Sequence, residues 1–415
     1  SELQPHSDLV CRLLLEKTYY ALARHDGHQP LFNLVEMSIV STLAGQPLHL
    51  HAEGLRGTGK TTIMRAAREL MPKITRISGC IYNCDPEKPH CPLHRHMSRE
   101  EIMALGTEEI DMPFLEISHS AKVGTVAGSI DLAKITDVNN PQAALLPGII
   151  PQAHRGIIFI DEINRLADTS PEITDILLDV MGNKPGRLQI EEAGLPTVEL
   201  TIQVSVWAAS NPDEDPGPLE EVRRQLSDRF DMVVYMGRPG SVDVVVKMLE
   251  GSDRARREEV DPRNYEAKNR EFRQRAVEMA STYKVTELPD FLRSFIARVY
   301  IKHNLESIRA IEAVQQGAVL YSILKKHKQI MINDVIEMLP LALKHRVDGD
   351  TLIKIMNGLE SRSSRDSILN IKDRRISKAT KEREETYFEG GARRLKDMGR
   401  QEIIATEKAL NPNDF

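Results

Sequence analysis

Gly54-Leu55-Arg56-Gly57-Thr58-Gly59-Lys60-Thr61-Thr62 is the stretch on which the reading of this chain turns. A short strand is expected at 47–52 before it, and a helical pattern runs on from it through Met71. Strand, glycine loop, helix is the setting in which successive backbone N–H groups at a helix N-terminus wrap a polyphosphate. Gly54, Gly57 and Gly59 keep those groups accessible, and Thr58 and Thr62 lie in the same loop. Lys60 is placed to reach the β- and γ-phosphates and Thr61 to hold Mg²⁺. The expected cofactors are therefore a nucleoside polyphosphate and Mg²⁺.

Working outward, Gly156-Ile157-Ile158-Phe159-Ile160-Asp161-Glu162 is an apolar strand that ends in two carboxylates. Strand C-termini of open α/β sheets face the ligand crevice, so both acids arrive beside the phosphates. Asp161 can order Mg²⁺ through water, and Glu162 can polarise the attacking water. Two acids at a strand end can also simply cap the next helix; the glycine loop upstream favours the catalytic reading. Val206-Trp207-Ala208-Ala209-Ser210-Asn211 is a second apolar strand ending in an amide, and Asn211 is placed to position the attacking water. Arg223, Arg224 and Arg229 cluster shortly after it. An arginine donated across a subunit interface stabilises charge developing on the γ-phosphate, which makes Arg229 and Arg223 candidates. Arg309 begins a later helical pattern, where a lid can carry it onto the nucleotide.

The rest of the chain has the alternation of an α/β protein with a largely parallel sheet. Strands are expected at 74–78, 113–118, 156–161, 204–210 and 232–236, most of them separated by helices, with a hairpin between 187–190 and 197–203. The expected division is an N-terminal helical segment (1–30), an α/β core (31–240), a charged helical connector (241–288), a helical domain (289–347) and a charged tail (348–415). Leu292, Phe295, Ile296 and Val299 form one apolar face of the helical domain. The tail reads as solvated helices that a partner would order. A chain of 415 residues exceeds one ordinary domain. Its 41% hydrophobic and 28% charged residues are those of a soluble globular protein. A net charge of −6 gives no support for bulk nucleic-acid binding. No apolar run reaches the ~18–20 residues of a membrane helix, and Ser1-Glu2-Leu3-Gln4 has no basic leader, so a cytoplasmic location is expected.

Taken together these motifs resemble the AAA+ ATPases, and more closely the magnesium-chelatase small ATPase subunit and its relatives. Beyond the glycine loop, the resemblance is carried by Ala127-Gly128-Ser129-Ile130-Asp131-Leu132, Leu146-Pro147-Gly148 and Ala153-His154-Arg155-Gly156 running into Asp161-Glu162-Ile163-Asn164. Ser210-Asn211-Pro212 and Gln225-Leu226-Ser227-Asp228-Arg229-Phe230 continue it, and Ser307-Ile308-Arg309-Ala310 agrees more loosely. It spans roughly residues 30–347, with several unrelated motifs in the family's order. The resemblance implies a P-loop α/β domain followed by a helical lid. It makes Lys60 and Thr61 the Walker A pair, Asp161 and Glu162 Walker B, Asn211 sensor 1, Arg229 the arginine finger and Arg309 sensor 2. It also implies a homo-oligomeric ring, commonly a hexamer, with ATP between subunits. The usual partner of the family carries a von Willebrand A domain; no Asp-x-Ser-x-Ser motif occurs here, so that domain would be on another chain. The hairpin near 187–203 and the insert near 124–153 would face the pore or the partner.

The chain departs from that family in a cysteine-rich insert near 79–96. Cys80-x3-Cys84-x6-Cys91-x2-His94 has ligand spacing short enough to wrap one tetrahedral ion, with turns at Asp85-Pro86 and Cys91-Pro92. Structural Zn²⁺ on Cys80, Cys84, Cys91 and His94 is the first reading, with His90 and His96 as alternative fourth ligands. An iron–sulfur cluster is the second, with Cys11 or His94 completing it. Free thiols are the third. Cys11 alone reads as a small buried hydrophobe on a helix at 8–24.

The expected function is that of an ATP-hydrolysing motor of the magnesium-chelatase type, remodelling a partner protein for metal insertion or metalloenzyme activation. The alternatives are a MoxR-like chaperone within the same motor class, a helicase-like nucleic-acid motor, which the charge does not favour, and a nucleotide-gated scaffold, which the intact Asp161-Glu162 pair argues against.

Overall fold

A computed structural model describes residues 19–22, 24, 27–130, 145–191, 197–257 and 263–369. In chain order its strands are β1 (Leu50–Gly54), β2 (Lys73–Ile77), β3 (Thr107–Asp111), β4 (Phe114–Ile117), β5 (Gly128–Ile130), β6 (Leu145–Pro147), β7 (Gly156–Ile160), β8 (Gly186–Ile190), β9 (Val198–Ile202), β10 (Val204–Ser210) and β11 (Met232–Met236). Five of them form the central sheet in the order β11-β1-β10-β7-β4. The β1–β10, β10–β7 and β7–β4 pairs are parallel. Every residue of β1, β7, β10 and β11 is buried; β7 and β11 accordingly read as continuous apolar runs, whereas β1 also buries His51 and Glu53. The registers Glu53↔Ser210 and Ala208↔Ile160 bring the C-terminal ends of β1, β10 and β7 level with one another.

Helix Gln29–Leu43 covers β10 through a buried polar seam. Trp207 Nε1 donates to Ser38 Oγ at 2.8 Å, Ser38 Oγ donates to Leu48 O at 2.7 Å, and the hydroxyls of Thr42 and Ser205 lie 2.6 Å apart. Each of these groups has a partner, so the seam fixes the helix against the sheet without an unsatisfied donor.

The strand expected at 74–78 forms, but outside the central sheet. It is β2, and it pairs antiparallel with β3 in a separate two-stranded ribbon, Lys73↔Asp111 through Ile77↔Thr107. In Lys73-Ile74-Thr75-Arg76-Ile77 only Ile74 and Ile77 are buried while Lys73 and Thr75 are exposed, which suits a partly solvated ribbon and not a central strand buried throughout. The expected hairpin is β8–β9, paired from Gly186↔Ile202 to Ile190↔Val198. Its turn at 192–196 lies outside the described residues, as do 131–144 between β5 and β6.

The described residues fall into two compact units. The first takes those up to Phe230 together with Arg238–Ser281; the second takes Asp231–Gly237 together with those from Thr282 onward. Part of the expected charged connector is core of the first unit. Helix Arg263–Val285 buries Phe272, Ala276, Met279 and Ala280, spaced as one helical face beneath an otherwise charged surface. In the second unit, helix Asp290–Lys302 buries the expected Leu292, Phe295, Ile296 and Val299. The start of the expected solvated tail is also packed: helix Gly349–Leu369 buries Leu352, Ile355, Met356 and Leu359 at i, i+3, i+4, i+7. Of the helix expected at 8–24 only residues 19–22 and 24 are described, with a single turn at Tyr19–Ala21; Cys11 and residues 370–415 lie outside the described residues.

Candidate nucleotide-binding site

The glycine loop joins β1 to helix Lys60–Ala66. Gly57 and Gly59 sit at φ of 72° and 85°, a region that costs a residue with a Cβ roughly 1–2 kcal/mol, and Gly59 is the N-cap of the helix. Only glycine makes that turn cheaply, so the spacing of the glycines is a backbone requirement. Beyond the turn, Lys60 is 5% exposed and folds back over the loop. Its Nζ donates to Gly54 O at 2.7 Å, Leu55 O at 2.8 Å, Thr58 Oγ1 at 3.3 Å and Asn211 Oδ1 at 2.9 Å. Burial draws this ammonium down to about 8, with Asp161, Asp213 and Glu214 pulling it back up.

Because β10 lies between β1 and β7, the residues that follow the three strands meet at one edge. Thr61 Oγ1 donates to Asp161 Oδ1 at 3.1 Å, and Arg65 Nη2 reaches Asp161 Oδ2 at 3.5 Å. The Thr61 hydroxyl and the Asp161 carboxylate are thus adjacent hard oxygen donors of the kind Mg²⁺ takes, directly or through water. Glu162 holds φ 53° and ψ 50°, a left-handed conformation that a non-glycine residue adopts only where its surroundings impose it. Its carboxylate pairs with Arg165 at 3.2 Å. Lys60, Thr61, Asp161, Glu162 and Asn211 are therefore gathered at the sheet edge from three separate strand ends.

The arginines are placed differently. Arg223 Nη2 donates to Asp175 Oδ1 at 2.8 Å, and its backbone breaks the helix Leu219–Ser227 at φ −152° and ψ 74°. The guanidinium of Arg229 lies beside Gly182, 3.5 Å from where a Cβ there would sit. Arg309 lies in the first turn of helix Ile308–Leu324, in the second unit. Several supporting residues escaped the sequence reading. Asn164 Nδ2 donates to Asn211 O at 3.4 Å and Gly217 O at 3.0 Å, which fixes the segment after β10. Glu214 binds Arg165 at 3.3 Å and Arg56 through a close contact that holds its carboxyl below the usual range. Arg65 was findable: it stands four residues after Thr61, on the same helix face.

A second cluster lies at the other end of β7. Cys80, Cys84, Cys91 and His94 are buried, and their ligand atoms all lie within 4.8 Å of one another. Hydrogen bonding from Cys84 and Cys91 draws the Cys80 thiol well down, and in return Cys84 is pushed up to about 11 and Cys91 upward. Burial takes His90 down to about 4, so its ring is neutral at physiological pH.

No family model matches the chain. Individual proteins do. The magnesium-chelatase 38 kDa subunit of Acidiphilium rubrum is 27% identical over 310 residues, 74% of this chain and 86% of that one. The magnesium-chelatase subunit ChlI homolog of Methanocaldococcus jannaschii is 29% identical over 295 residues, 71% of this chain and 77% of that one. The chloroplastic subunit ChlI of Glycine max is 27% identical over 310 residues, 74% of this chain and 70% of that one. A structure of the complex between subunits BchI and BchD of magnesium chelatase aligns with a TM-score of 0.41 and 23% identity, covering 80% of this chain and 96% of that one. Over 71–74% of its length the chain thus resembles the magnesium-chelatase small ATPase subunits, and its parallel sheet gathers a glycine loop and the residues after two further strands at one edge.

Proposed function

We propose that this protein is a Mg²⁺-dependent ATP-hydrolysing motor of the chelatase type, working as a ring, commonly hexameric in this family, whose sites are completed between subunits. One observation carries the reading. Lys60 and its neighbour Thr61 meet partners 151 and 100 residues away in sequence, Asn211 at 2.9 Å and Asp161 at 3.1 Å, at the phosphate-binding loop.

The roles follow from the atoms. Backbone N–H groups of the glycine loop and the Lys60 ammonium hold the β- and γ-phosphates. Thr61 and Asp161 would hold Mg²⁺, which when bound neutralises phosphate charge. Glu162 takes proton density from the attacking water, whose oxygen bonds to the γ-phosphorus as the bond to the bridging oxygen breaks and ADP leaves. Asn211 orients that water. Arg229, with Arg223 as a second donor, is assigned to the neighbouring subunit's γ-phosphate, and Arg309 to the nucleotide of its own subunit through the helical second unit. Work on a separate von Willebrand A partner protein, toward metal insertion or metalloenzyme activation, is the cellular role this motor fits. The β8–β9 and β5–β6 ribbons are the elements we assign to pore and partner contact. The Cys/His cluster takes no part in the phosphate chemistry, because it lies across the length of β7 from Asp161.

The test compares turnover with binding. Glu162→Gln should keep ATP affinity and lose at least ~10²-fold in kcat, because the water loses its carboxylate while the phosphates stay held. Lys60→Ala should instead weaken nucleotide binding about tenfold to hundredfold. Wild-type hydrolysis rates in Glu162→Gln would remove the assignment.

A further inference from the structure

The segment from 79 to 98 joins β2 to helix Arg99–Leu105 and contains neither helix nor sheet strand, only turns and the single bridge Asp85↔Lys88. A loop of this length cannot build its own apolar core. Yet at its centre three free thiols are 3%, 0% and 0% exposed at Cys80, Cys84 and Cys91, with His94 beside them. Something other than side-chain packing must account for an ordered, buried, polar centre in so short a stretch.

We propose that Cys80, Cys84, Cys91 and His94 form a closed tetrahedral zinc site that folds this loop and fastens it to the rim of the central sheet. Four donor atoms within 4.8 Å of one another match one ion: zinc–sulfur bonds of ~2.3 Å put tetrahedral sulfurs ~3.8 Å apart. An iron–sulfur cluster spreads its protein ligands over several irons, and three sulfurs and one imidazole nitrogen around a single point do not suit it. His94 is the fourth ligand. Its Nδ1 lies 3.2 Å from Cys91 Sγ, within the mutual set.

His90 has a different place. Its ring stacks on His154 at 3.7 Å with an interplanar angle of 26°, and its Nδ1 lies 3.2 Å from Cys84 Sγ. The backbone N–H groups of His90 and Cys91 also point at that sulfur, at 3.4 Å and 3.3 Å. Outer groups converging on one sulfur are the kind of partners that orient a metal ligand. His90 is thus a positioning residue that ties the site to the sheet, since His154 precedes β7 and its Nδ1 accepts from Gln203 N at 3.1 Å. Asn83 Nδ2 donates to Gln152 O at 2.6 Å, and Arg155 bridges to Asp85 at 3.5 Å and to Thr75 O at 2.6 Å. The metal is structural, because four protein ligands leave zinc no position for water. Loss of the ion should loosen the loop and leave the far end of β7 alone.

Elemental analysis of the full chain, purified reduced and without chelator, decides the matter. The expected content is one zinc per chain, displaced stoichiometrically when a mercurial blocks the thiols, and replaceable by Co²⁺ with the visible spectrum of a tetrahedral thiolate site. Cys84→Ser/Cys91→Ser should lose the metal and become sensitive to protease within 79–98, while nucleotide affinity stays within about twofold, as for distant sites. His94→Ala should lose the metal and His90→Ala should retain it. If the double variant does not fold, mercurial release and the Co²⁺ spectrum of the wild-type chain read the same ligands. Reduced protein that holds no metal and takes up no Co²⁺ overturns the site. Stoichiometric iron with acid-labile sulfide overturns zinc, and zinc retained by Cys84→Ser/Cys91→Ser overturns the ligand set.

Discussion

Lys60 shows how one buried residue can make a site sensitive to pH. Burial draws its ammonium to about 8, against the pull of Asp161, Asp213 and Glu214. A polyphosphate placed against Nζ favours the charged form, so the pKa is higher with nucleotide bound than without. Above about pH 8, binding must therefore take up a proton, and affinity should fall by up to about tenfold per unit as pH rises. Fluorescent-nucleotide titrations from about pH 7 to about pH 9.5 should show this decline, and Lys60→Arg, which cannot deprotonate, should flatten it. A wild-type profile that stays level across the range would mean that Lys60 is not the group facing the phosphates. Most of this site was legible at the residue scale because its chemistry sits in short runs: the glycine loop, the Asp161-Glu162 pair, the amide after an apolar strand. Arg165, Asn164 and Glu214 were not, because each acts through a partner that only the folded chain brings near.

Among the elements, periodicity spoke clearly where burial was complete and poorly where charge covered a narrow apolar stripe. β7 and β10 are apolar throughout and were readable as central strands. The ribbon strand β2 was readable as a strand but not as one outside the central sheet, since pairing partners are a matter of topology and the polar Lys73, Thr75 and Arg76 were the only clue. Helix Arg263–Val285 is the instructive case. Its surface is dominated by Arg, Glu and Lys, and the stripe of Phe272, Ala276, Met279 and Ala280 is easily lost among them. Phe272 is 1% exposed, so Phe272→Ala should destabilise the first unit by about 3–5 kcal/mol through lost burial and a cavity. Thermal or denaturant unfolding of the variant checks this. A loss below about 0.5 kcal/mol, the level of a surface substitution, would return the helix to the role of an exposed connector.

At the scale of the whole molecule, the arginines set the question. Arg223 engages Asp175 and Arg229 lies beside Gly182, whereas Lys60 engages Asn211 and Thr61 engages Asp161. On the proposed reading a subunit takes loop, metal ligands and carboxylate from its own strand ends and lends its finger arginines to a neighbour, so activity requires an assembly. Mixing two inactive variants tests this most directly. In rings of Arg229→Ala and Glu162→Gln subunits combined in equal amounts, about a quarter of interfaces pair an intact Glu162 with an intact Arg229 from next door. Steady-state Mg²⁺-ATP hydrolysis of the mixture should therefore recover to as much as about a quarter of the wild-type rate, well above the sum of the two variants alone. Hydrolysis no higher than that sum, in a preparation where affinity-tagged subunits pull down the other variant, would contradict a site shared between subunits.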